Sequence, residues 1–97
     1  MCGAPKQGGA LAGIDLSTQT VIQGQVWHDG APVAGAYVRL LDGTDEFTAE
    51  VVTSPEGEFR FFAAPGAWKV RSLAPVGKGE RVVDAEVGMN ETTLVIG

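Results

Sequence analysis

The most informative pattern in this chain is an alternation of apolar and polar positions that begins near Thr20 and continues almost to the end. A period of two is typical of half-buried β-strands. It is clearest in residues 59–70, where Phe59 and Phe61 share one face and a short reversal precedes a second alternating segment. No window of ten or more residues shows an apolar period of 3.6. The pattern predicts an all-β protein.

Turn-forming residues separate the alternating segments at intervals of roughly ten residues. The strongest turn signals are Asp29-Gly30 and the sequence Ser-Pro-Glu-Gly at residues 54–57. Further turns or loops are predicted at residues 42–46, 64–66, 74–79 and 88–90, of which residues 74–79 read as a flexible loop. The spacing predicts a single antiparallel β-sandwich of about seven strands, with Thr92–Ile96 as the last strand.

One strand pair can be aligned from the sequence. Residues 36–41 and 47–53 flank a polar turn, and centring the hairpin on this turn places Arg39 opposite Glu50. A cross-strand ion pair of this kind contributes about 0.2–1 kcal/mol, which is enough to favour one register over another.

The same alternation assigns side chains to the core or to the outer surface. Phe59, Phe61 and Trp68 are predicted to lie in the core, and Gly24 allows the backbone to approach these rings closely. The opposite positions are unusually apolar and aromatic for a solvated sheet, and arginine is enriched at interfaces. We therefore predict an interaction face formed by Tyr37, Arg39, Leu41, Arg60, Phe62, Lys69, Arg71 and Leu73.

The net charge of −5 argues against a nucleic-acid partner, because phosphate contacts need clustered cations. No apolar run approaches the length of about 20 residues that spans a bilayer, so no membrane association is expected. The first residues lack the apolar segment of a signal peptide, and a single cysteine cannot form an internal disulfide. A cytoplasmic location is the resulting expectation.

Residues 1–18 are rich in glycine, alanine and glutamine and have no period, so they are predicted to form a flexible N-terminal arm. Leu11, Ile14 and Leu16 could anchor this arm against the domain. The sandwich is assigned to residues 19–97.

Catalytic and metal-binding groups are not indicated. His28 is the only histidine, and a metal site needs three or four ligands. Asp42, Asp45 and Glu46 lack the spacing of a calcium loop and are interpreted as solvated turn residues. The hydroxyl residues have no histidine and aspartate partners for nucleophilic catalysis. We expect a protein that is not an enzyme and that has no cofactor and no metal.

Four short motifs resemble the carboxypeptidase regulatory-like domain in both order and spacing. They are residues 21–26 (VIQGQV), 32–38 (PVAGAYV), 57–61 (GEFRF) and 65–68 (PGAW). The resemblance covers residues 20–97 and implies a prealbumin-like, or transthyretin-like, β-sandwich. Two features depart from that family. Trp68 stands where the family usually has tyrosine, and many of its members are extracytoplasmic.

A second resemblance covers the whole chain, including its N-terminal segment. Residues 1–7 (MCGAPKQ), 45–52 (DEFTAEVV) and 59–66 (FRFFAAPG) are similar to a small actinobacterial family of unknown function. Its members are often encoded beside thiosulfate sulfurtransferases of the rhodanese type and are labelled as sulfur-metabolism proteins. The resemblance implies a non-catalytic accessory module that docks on such a sulfurtransferase.

Cys2 is the one residue with an alternative chemical role. If Met1 is removed, the thiol lies beside an α-amine and near Lys6, and these cations favour the thiolate that attacks sulfane sulfur. Cys2 could then be the persulfide acceptor of a sulfur carrier, or it could be an inert terminal cysteine. A third reading is a structural homo-oligomer in which the interaction face contacts a second copy.

Overall fold

The computed structural model describes residues 15–97, which fold as eight β-strands without a helix. The strands are β1 (Thr20–His28), β2 (Ala31–Pro32), β3 (Tyr37–Leu41), β4 (Phe47–Val52), β5 (Glu58–Ala63), β6 (Gly66–Ala74), β7 (Gly77–Ala85) and β8 (Gly88–Val95). They form two packed sheets, which confirms the prediction of an all-β sandwich. The described residues contain no helix that is long and apolar enough to span a membrane.

The two sheets differ in how their strands pair. The first, called the β3 sheet below, has the order β4-β3-β6-β7 and is antiparallel throughout. The second, called the β1 sheet, has β1 at its centre. Strands β5 and β2 pair antiparallel with one edge of β1, whereas β8 pairs with the other edge in parallel. The prediction of a purely antiparallel sandwich was wrong for this one pair, which joins the first strand to the last.

The core lies between the inner faces of the two sheets. The β1 sheet contributes side chains that include Phe59, Phe61 and Leu94, and the β3 sheet contributes others that include Val38 and Val70, all of them buried. The two phenylalanine rings meet at a centroid distance of 6.0 Å with their planes tilted by 54°. This inclined contact is a favourable arrangement for aromatic rings. Both phenylalanines of the Phe-X-Phe pattern therefore lie in the core and in contact with each other.

The chain crosses from one sheet to the other between β5 and β6. Only Ala64 and Pro65 separate these strands, yet β5 pairs with β1 whereas β6 pairs with β3 and β7. Trp68 is half-buried at the edge of the core, and its indole Nε1–H donates a hydrogen bond of 2.8 Å to the Ala64 carbonyl. The predicted reversal is therefore a connection across the sandwich, and the core role of Trp68 is only partial.

Two predicted turns are parts of strands instead. Residues 74–79 do not form a flexible loop, because β6 and β7 join through Pro75 and Val76 alone and Leu73 pairs with Lys78. Residues 88–90 form the start of β8, paired with β1, and not a turn. In both places the glycines that suggested a loop lie within strands.

Three local predictions are confirmed. Asp29 and Gly30 both have positive φ angles, of 51° and 79°, as a two-residue hairpin turn with twisted strands requires. The Gly57 amide donates a hydrogen bond of 2.8 Å to the Ser54 carbonyl, which closes the turn at residues 54–57. Arg39 lies opposite Glu50 in the β3–β4 register.

Residues 15–18 form a turn ahead of β1. The amides of Thr18 and Gln19 donate hydrogen bonds to the Asp15 carbonyl, and Leu16 is half-buried beside them. The other predicted anchors of the arm, Leu11 and Ile14, lie outside the described residues, as does Cys2.

Candidate functional site

The outer surface of the β3 sheet carries the most distinctive group of exposed side chains among the described residues. Pairing in register aligns them in rows that run across the strands. One row contains Tyr37, Leu73 and Lys78, and the next contains Glu50, Arg39, Arg71 and Glu80. We call the surface formed by these seven residues the binding face. It combines exposed apolar area with both signs of charge.

The charged row has an acid at each end and two bases in the middle. Arg39 Nε donates to Glu50 Oε2 at 2.7 Å, and Arg71 Nε donates to Glu80 Oε1 at 3.1 Å. Arg39 and Arg71 are direct cross-strand partners. Arg39, Arg71 and Glu80 are about half exposed and Glu50 is half-buried, so each ion pair contributes only about 0.2–1 kcal/mol to stability. The two ion pairs therefore orient the guanidinium groups but contribute little to the stability of the fold.

The neighbouring row is apolar at its centre. Tyr37 and Leu73 are direct cross-strand partners, and their exposed fractions are 53% and 56%. Together with Arg39, Glu50, Arg71 and Lys78 they line a shallow depression of about 320 Å³. Large apolar side chains exposed side by side are typical of interaction sites.

Lys69 closes the binding face at the end nearer the β3–β4 turn. Its Nζ lies 2.8 Å from Asp45 Oδ1 and 3.7 Å from Glu80 Oε2. The hydrogen bond to Asp45 raises the pKa of Lys69, with a smaller contribution from the charge of Glu80. The ammonium group of Lys69 is thus already paired with carboxylates of the protein. Lys78, by contrast, has no ion-pair partner within residues 15–97.

The sandwich divides the predicted interaction face into two surfaces. Tyr37, Arg39, Lys69, Arg71 and Leu73 lie on the outside of the β3 sheet, as predicted, but Arg60 and Phe62 belong to β5 in the β1 sheet. Because the outer faces of two packed sheets point in opposite directions, these residues cannot form one continuous surface. The alternation of each strand was interpreted correctly, but the assumption that the strands share a sheet was wrong.

Leu41 is the second correction to the predicted face. It pairs with Lys69 and so lies on the outward side of β3, yet its exposed fraction is only 5%. The register shift between Leu40 and Leu41 inserts its extra residue, Thr48, in β4 and leaves the alternation of β3 intact. Leu41 is nevertheless buried, so it offers almost no surface to a partner.

Arg60 and Phe62 remain accessible on the other side of the molecule. Arg60 Nε donates to Gln23 Oε1 at 3.0 Å and the side chain is half-buried, whereas Phe62 is 58% exposed. Phe62 faces Val21, which is buried despite its outward position. This surface also carries the exposed Val95 on β8, but it lacks a direct cross-strand pair of exposed apolar side chains like Tyr37 and Leu73.

Three residues of the binding face are absent from the predicted interaction face: Glu50, which is predicted only as the ion-pair partner of Arg39, and Lys78 and Glu80. Lys78 was assigned to a flexible loop, and Glu80 was not considered, so neither was aligned with β6. The alternation of Lys78 and Glu80 with the glycines at positions 77 and 79 could have indicated a strand. The usual weakness of glycine as a strand former obscured that signal.

The remaining candidates for chemistry have structural roles. The His28 ring Nδ1 lies 2.8 Å from the Ile96 carbonyl and links the end of β1 to the C-terminal segment. Within residues 15–97, no three histidine, cysteine, aspartate or glutamate side chains are grouped so that they could hold a metal ion. Asp42 organises the β3–β4 turn, where its carboxylate accepts hydrogen bonds from Thr44 and Glu46. These observations do not identify His28 or Asp42 as a catalytic residue.

Solved structures with a similar fold include a DUF3823 family protein from Parabacteroides merdae. The match has a TM-score of 0.65 and 15% sequence identity, and it covers 81% of this chain. The chain spans only 46% of that protein's length. At this identity the likeness concerns the β-sandwich fold and nothing further.

Sequence relatives are found in mycobacteria. Two uncharacterized proteins of Mycobacterium tuberculosis, Rv0814c and Rv3118, are each 54% identical to this chain over 99 residues, with 99% of both chains covered. An uncharacterized protein of Mycolicibacterium smegmatis is 53% identical over 87 residues, which cover 88% of this chain and 97% of the relative. The family described as "Protein of unknown function (DUF1416)" matches residues 2–96, and the chain therefore belongs to this family.

Proposed function

We propose that this chain is a non-catalytic module that binds another protein through the binding face of the β3 sheet. The observation that carries the proposal is the direct pairing of Tyr37 with Leu73, both more than half exposed, beside the guanidinium groups of Arg39 and Arg71. Aromatic residues and arginine are enriched at protein interfaces, where the ring and the guanidinium supply both area and directed hydrogen bonds.

We further propose that the partner is a thiosulfate sulfurtransferase of the rhodanese type. The support is the resemblance of residues 1–7, 45–52 and 59–66 to a family whose members are often encoded beside such enzymes. One of these segments, residues 45–52, contains Glu50 and so contributes to the binding face. In this proposal the module adds a binding surface to the enzyme and no reacting group of its own.

The test is a binding measurement between this chain and a purified rhodanese-type sulfurtransferase by isothermal titration calorimetry. The variant Tyr37→Ser/Leu73→Ser should bind at least about tenfold more weakly, because it removes the apolar centre of the interface. Phe62→Ser is the matched control, since Phe62 is equally exposed but lies on the opposite sheet. Loss of binding in the control with retention in the double variant would contradict the proposed face.

The Cys2 alternative concerns a residue outside the described part of the chain and has its own chemical test. A Cys2 thiolate would attack the outer sulfur of the sulfurtransferase persulfide, the S–S bond would break, and the enzyme thiolate would leave without net oxidation. After incubation with the enzyme and thiosulfate, intact mass would show a species heavier by about 32 Da that is absent in Cys2→Ser. No such species would contradict a sulfur-carrier role.

The homo-oligomer alternative predicts that the binding face contacts a second copy. Size-exclusion chromatography with light scattering measures the mass in solution directly. A dimer that dissociates in Tyr37→Ser/Leu73→Ser but persists in Phe62→Ser would favour self-association over the sulfurtransferase. A monomer in all three proteins would exclude it.

A further inference from the structure

Each arginine of the binding face uses only part of its hydrogen-bonding capacity within the protein. Arg39 and Arg71 engage Glu50 and Glu80 through Nε. Their terminal Nη groups make no hydrogen bond to any of the residues 15–97. A guanidinium carries five N–H donors in a planar fork, so four donors on each side chain are not used in hydrogen bonds to residues 15–97.

Both guanidinium groups contact side chains of the protein that restrict their movement. The Arg39 guanidinium lies over the Phe47 ring, 5.9 Å from its centroid, while Glu50 fixes its Nε. On the other strand, Glu80 binds Arg71 and also lies 3.7 Å from the Lys69 ammonium. Such contacts reduce the conformational entropy that the side chains would lose on binding a ligand.

Arg39 and Arg71 are two like charges on directly paired positions, and each is also paired with a carboxylate. Like charges opposite each other on neighbouring strands destabilise a sheet. The chain contains seven lysine and arginine residues against twelve acids, yet four of the seven lie on this one surface: Arg39, Lys69, Arg71 and Lys78. An anion between the two arginines would relieve their repulsion and accept hydrogen bonds from both forks.

Tyr37 and Leu73 lie at a fixed distance from Arg39 and Arg71. Tyr37 and Leu73 are each two residues along their strands from Arg39 and Arg71, which corresponds to about 7 Å. Residues two apart in an extended segment have the same separation and the same side-chain direction. An extended segment running along β3 could therefore place a carboxylate on the arginines and an apolar side chain on Tyr37 and Leu73.

We propose that Arg39 and Arg71 together form a carboxylate-binding site, which recognises an extended segment of a partner protein with an acidic and an apolar side chain two residues apart. This inference rests on the proposed function of the binding face and specifies the chemistry of the segment that it binds. The carboxylate lies between the two guanidinium forks, the apolar side chain fills the depression next to it, and Lys78 contributes a further positive charge at its rim.

The test uses a capped pentapeptide of the order leucine, threonine, glutamate, threonine, leucine, which presents the required spacing in either direction. A second peptide has glutamine in place of glutamate. Titration of the isotope-labelled chain followed by NMR should shift the Nε–H signals of Arg39 and Arg71 and the methyl signals of Leu73. The glutamate peptide should bind about tenfold more tightly, as expected for hydrogen bonds to a charged group.

Variants test whether Arg39 and Arg71 cause the preference for the glutamate peptide. In Arg39→Gln/Arg71→Gln the two peptides should bind equally, whereas Arg39→Lys/Arg71→Lys should keep a reduced preference because it retains charge but loses the planar forks. Arg81→Gln is the control, since it removes one charge from β7 outside the binding face. Thermal midpoints verify that each variant is folded. Equal affinities for the two peptides in the wild-type chain would overturn the proposal, as would a preference that survives in Arg39→Gln/Arg71→Gln.

The sulfurtransferase titration separates this inference from the proposed function. If Tyr37→Ser/Leu73→Ser loses binding but Arg39→Gln/Arg71→Gln does not, the binding face is correct and the carboxylate site is wrong. If both variants bind the sulfurtransferase like the wild type, the proposed function is wrong. If the wild-type chain still prefers the glutamate peptide in this second case, the carboxylate site is established although the sulfurtransferase is not its partner.

Discussion

The backbone of Gly24 in β1 passes so close to β8 that a side chain at this position would collide with the Thr92 carbonyl. The Phe59 ring approaches from the core side, with its Cζ only 3.0 Å from the position of a Cβ atom. Glycine is required here by close packing on two sides, as its position beneath the aromatic rings suggested from the sequence. At Gly24 the central strand of the β1 sheet therefore packs closely against both β8 and the Phe59 ring.

The first prediction follows from this contact. Gly24→Ala should lower the free energy of unfolding by about 3 kcal/mol, the upper range for overpacking, because backbone atoms cannot move aside as a flexible side chain can. Gly43→Ala is the control, since a Cβ there meets only the Ala67 carbonyl at 3.8 Å. Chemical denaturation measures both. A Gly24→Ala protein as stable as Gly43→Ala would contradict the close approach.

Two buried hydroxyl groups provide the second prediction. Ser72 is fully buried and its Oγ has no hydrogen-bond partner among residues 15–97, whereas the Thr53 Oγ1 accepts from the Ala36 amide at 2.9 Å and donates to the Val33 carbonyl at 2.7 Å. Ser72→Ala should leave the free energy of unfolding unchanged or raise it by up to about 1 kcal/mol, because an unpaired hydroxyl is costly to bury.

Thr53→Val is the matched comparison for Ser72→Ala. It should cost about 1–3 kcal/mol, since it leaves a backbone donor and a backbone acceptor unpaired while keeping the shape of the side chain. Urea denaturation of the two variants side by side gives both values. A larger loss for Ser72→Ala than for Thr53→Val would show that the serine hydroxyl has a partner after all.

The third prediction concerns Asn90, which joins β8 to two neighbouring segments. Its Nδ2 donates to the Glu86 carbonyl at 2.8 Å and to the Val21 carbonyl at 3.1 Å, while its Oδ1 accepts from the Glu86 amide at 3.0 Å. Asn90→Ala should cost about 2 kcal/mol through the loss of these bonds. Asn90→Asp should cost at least as much, because a carboxylate would face the two carbonyl oxygens. Thermal unfolding of both variants distinguishes this role from a passive surface position.

The fourth prediction is a pH dependence that arises from Asp42. The hydrogen bond from the Thr44 hydroxyl, at 2.7 Å, lowers the pKa of Asp42 below its ordinary value, and the amides of Glu46 and Thr44 add to the effect. A carboxyl group whose pKa is lowered by folding stabilises the native state above the unfolded pKa. That contribution is lost as the pH falls through the folded pKa, below about 4.

Asp42→Asn tests this assignment, because asparagine keeps the acceptor oxygen but has no titrating charge. The decrease in unfolding free energy between neutral pH and acid should be smaller in Asp42→Asn than in the wild type. An NMR titration of the Asp42 carboxyl carbon should give a pKa that rises in Thr44→Val. An unchanged pKa in that variant would exclude the hydroxyl as its principal cause.

The local features of this protein follow from its sequence because they depend on neighbouring residues. The alternation around Phe59 and Phe61 places both rings on one side of a strand, and Asp29-Gly30 adopts the positive φ angles of a tight hairpin turn. Arg39 and Glu50 meet across the predicted hairpin, with one register shift between this pair and the turn. In each case, steric rules or a short chain segment leave few alternatives.

Features that depend on distant segments required the tertiary structure. The Ala64-Pro65 link joins strands of different sheets, so Arg60 and Phe62 lie on the opposite side of the molecule from Arg39 and Arg71. The burial of Leu41 and the parallel pairing of β1 with β8 likewise arise from contacts between distant segments, which no single strand encodes. The sequence by itself therefore determined which side of each strand faces the core. Only the packed sheets decided which outward side chains meet, because a period of two specifies a face but not the sheet to which that face belongs.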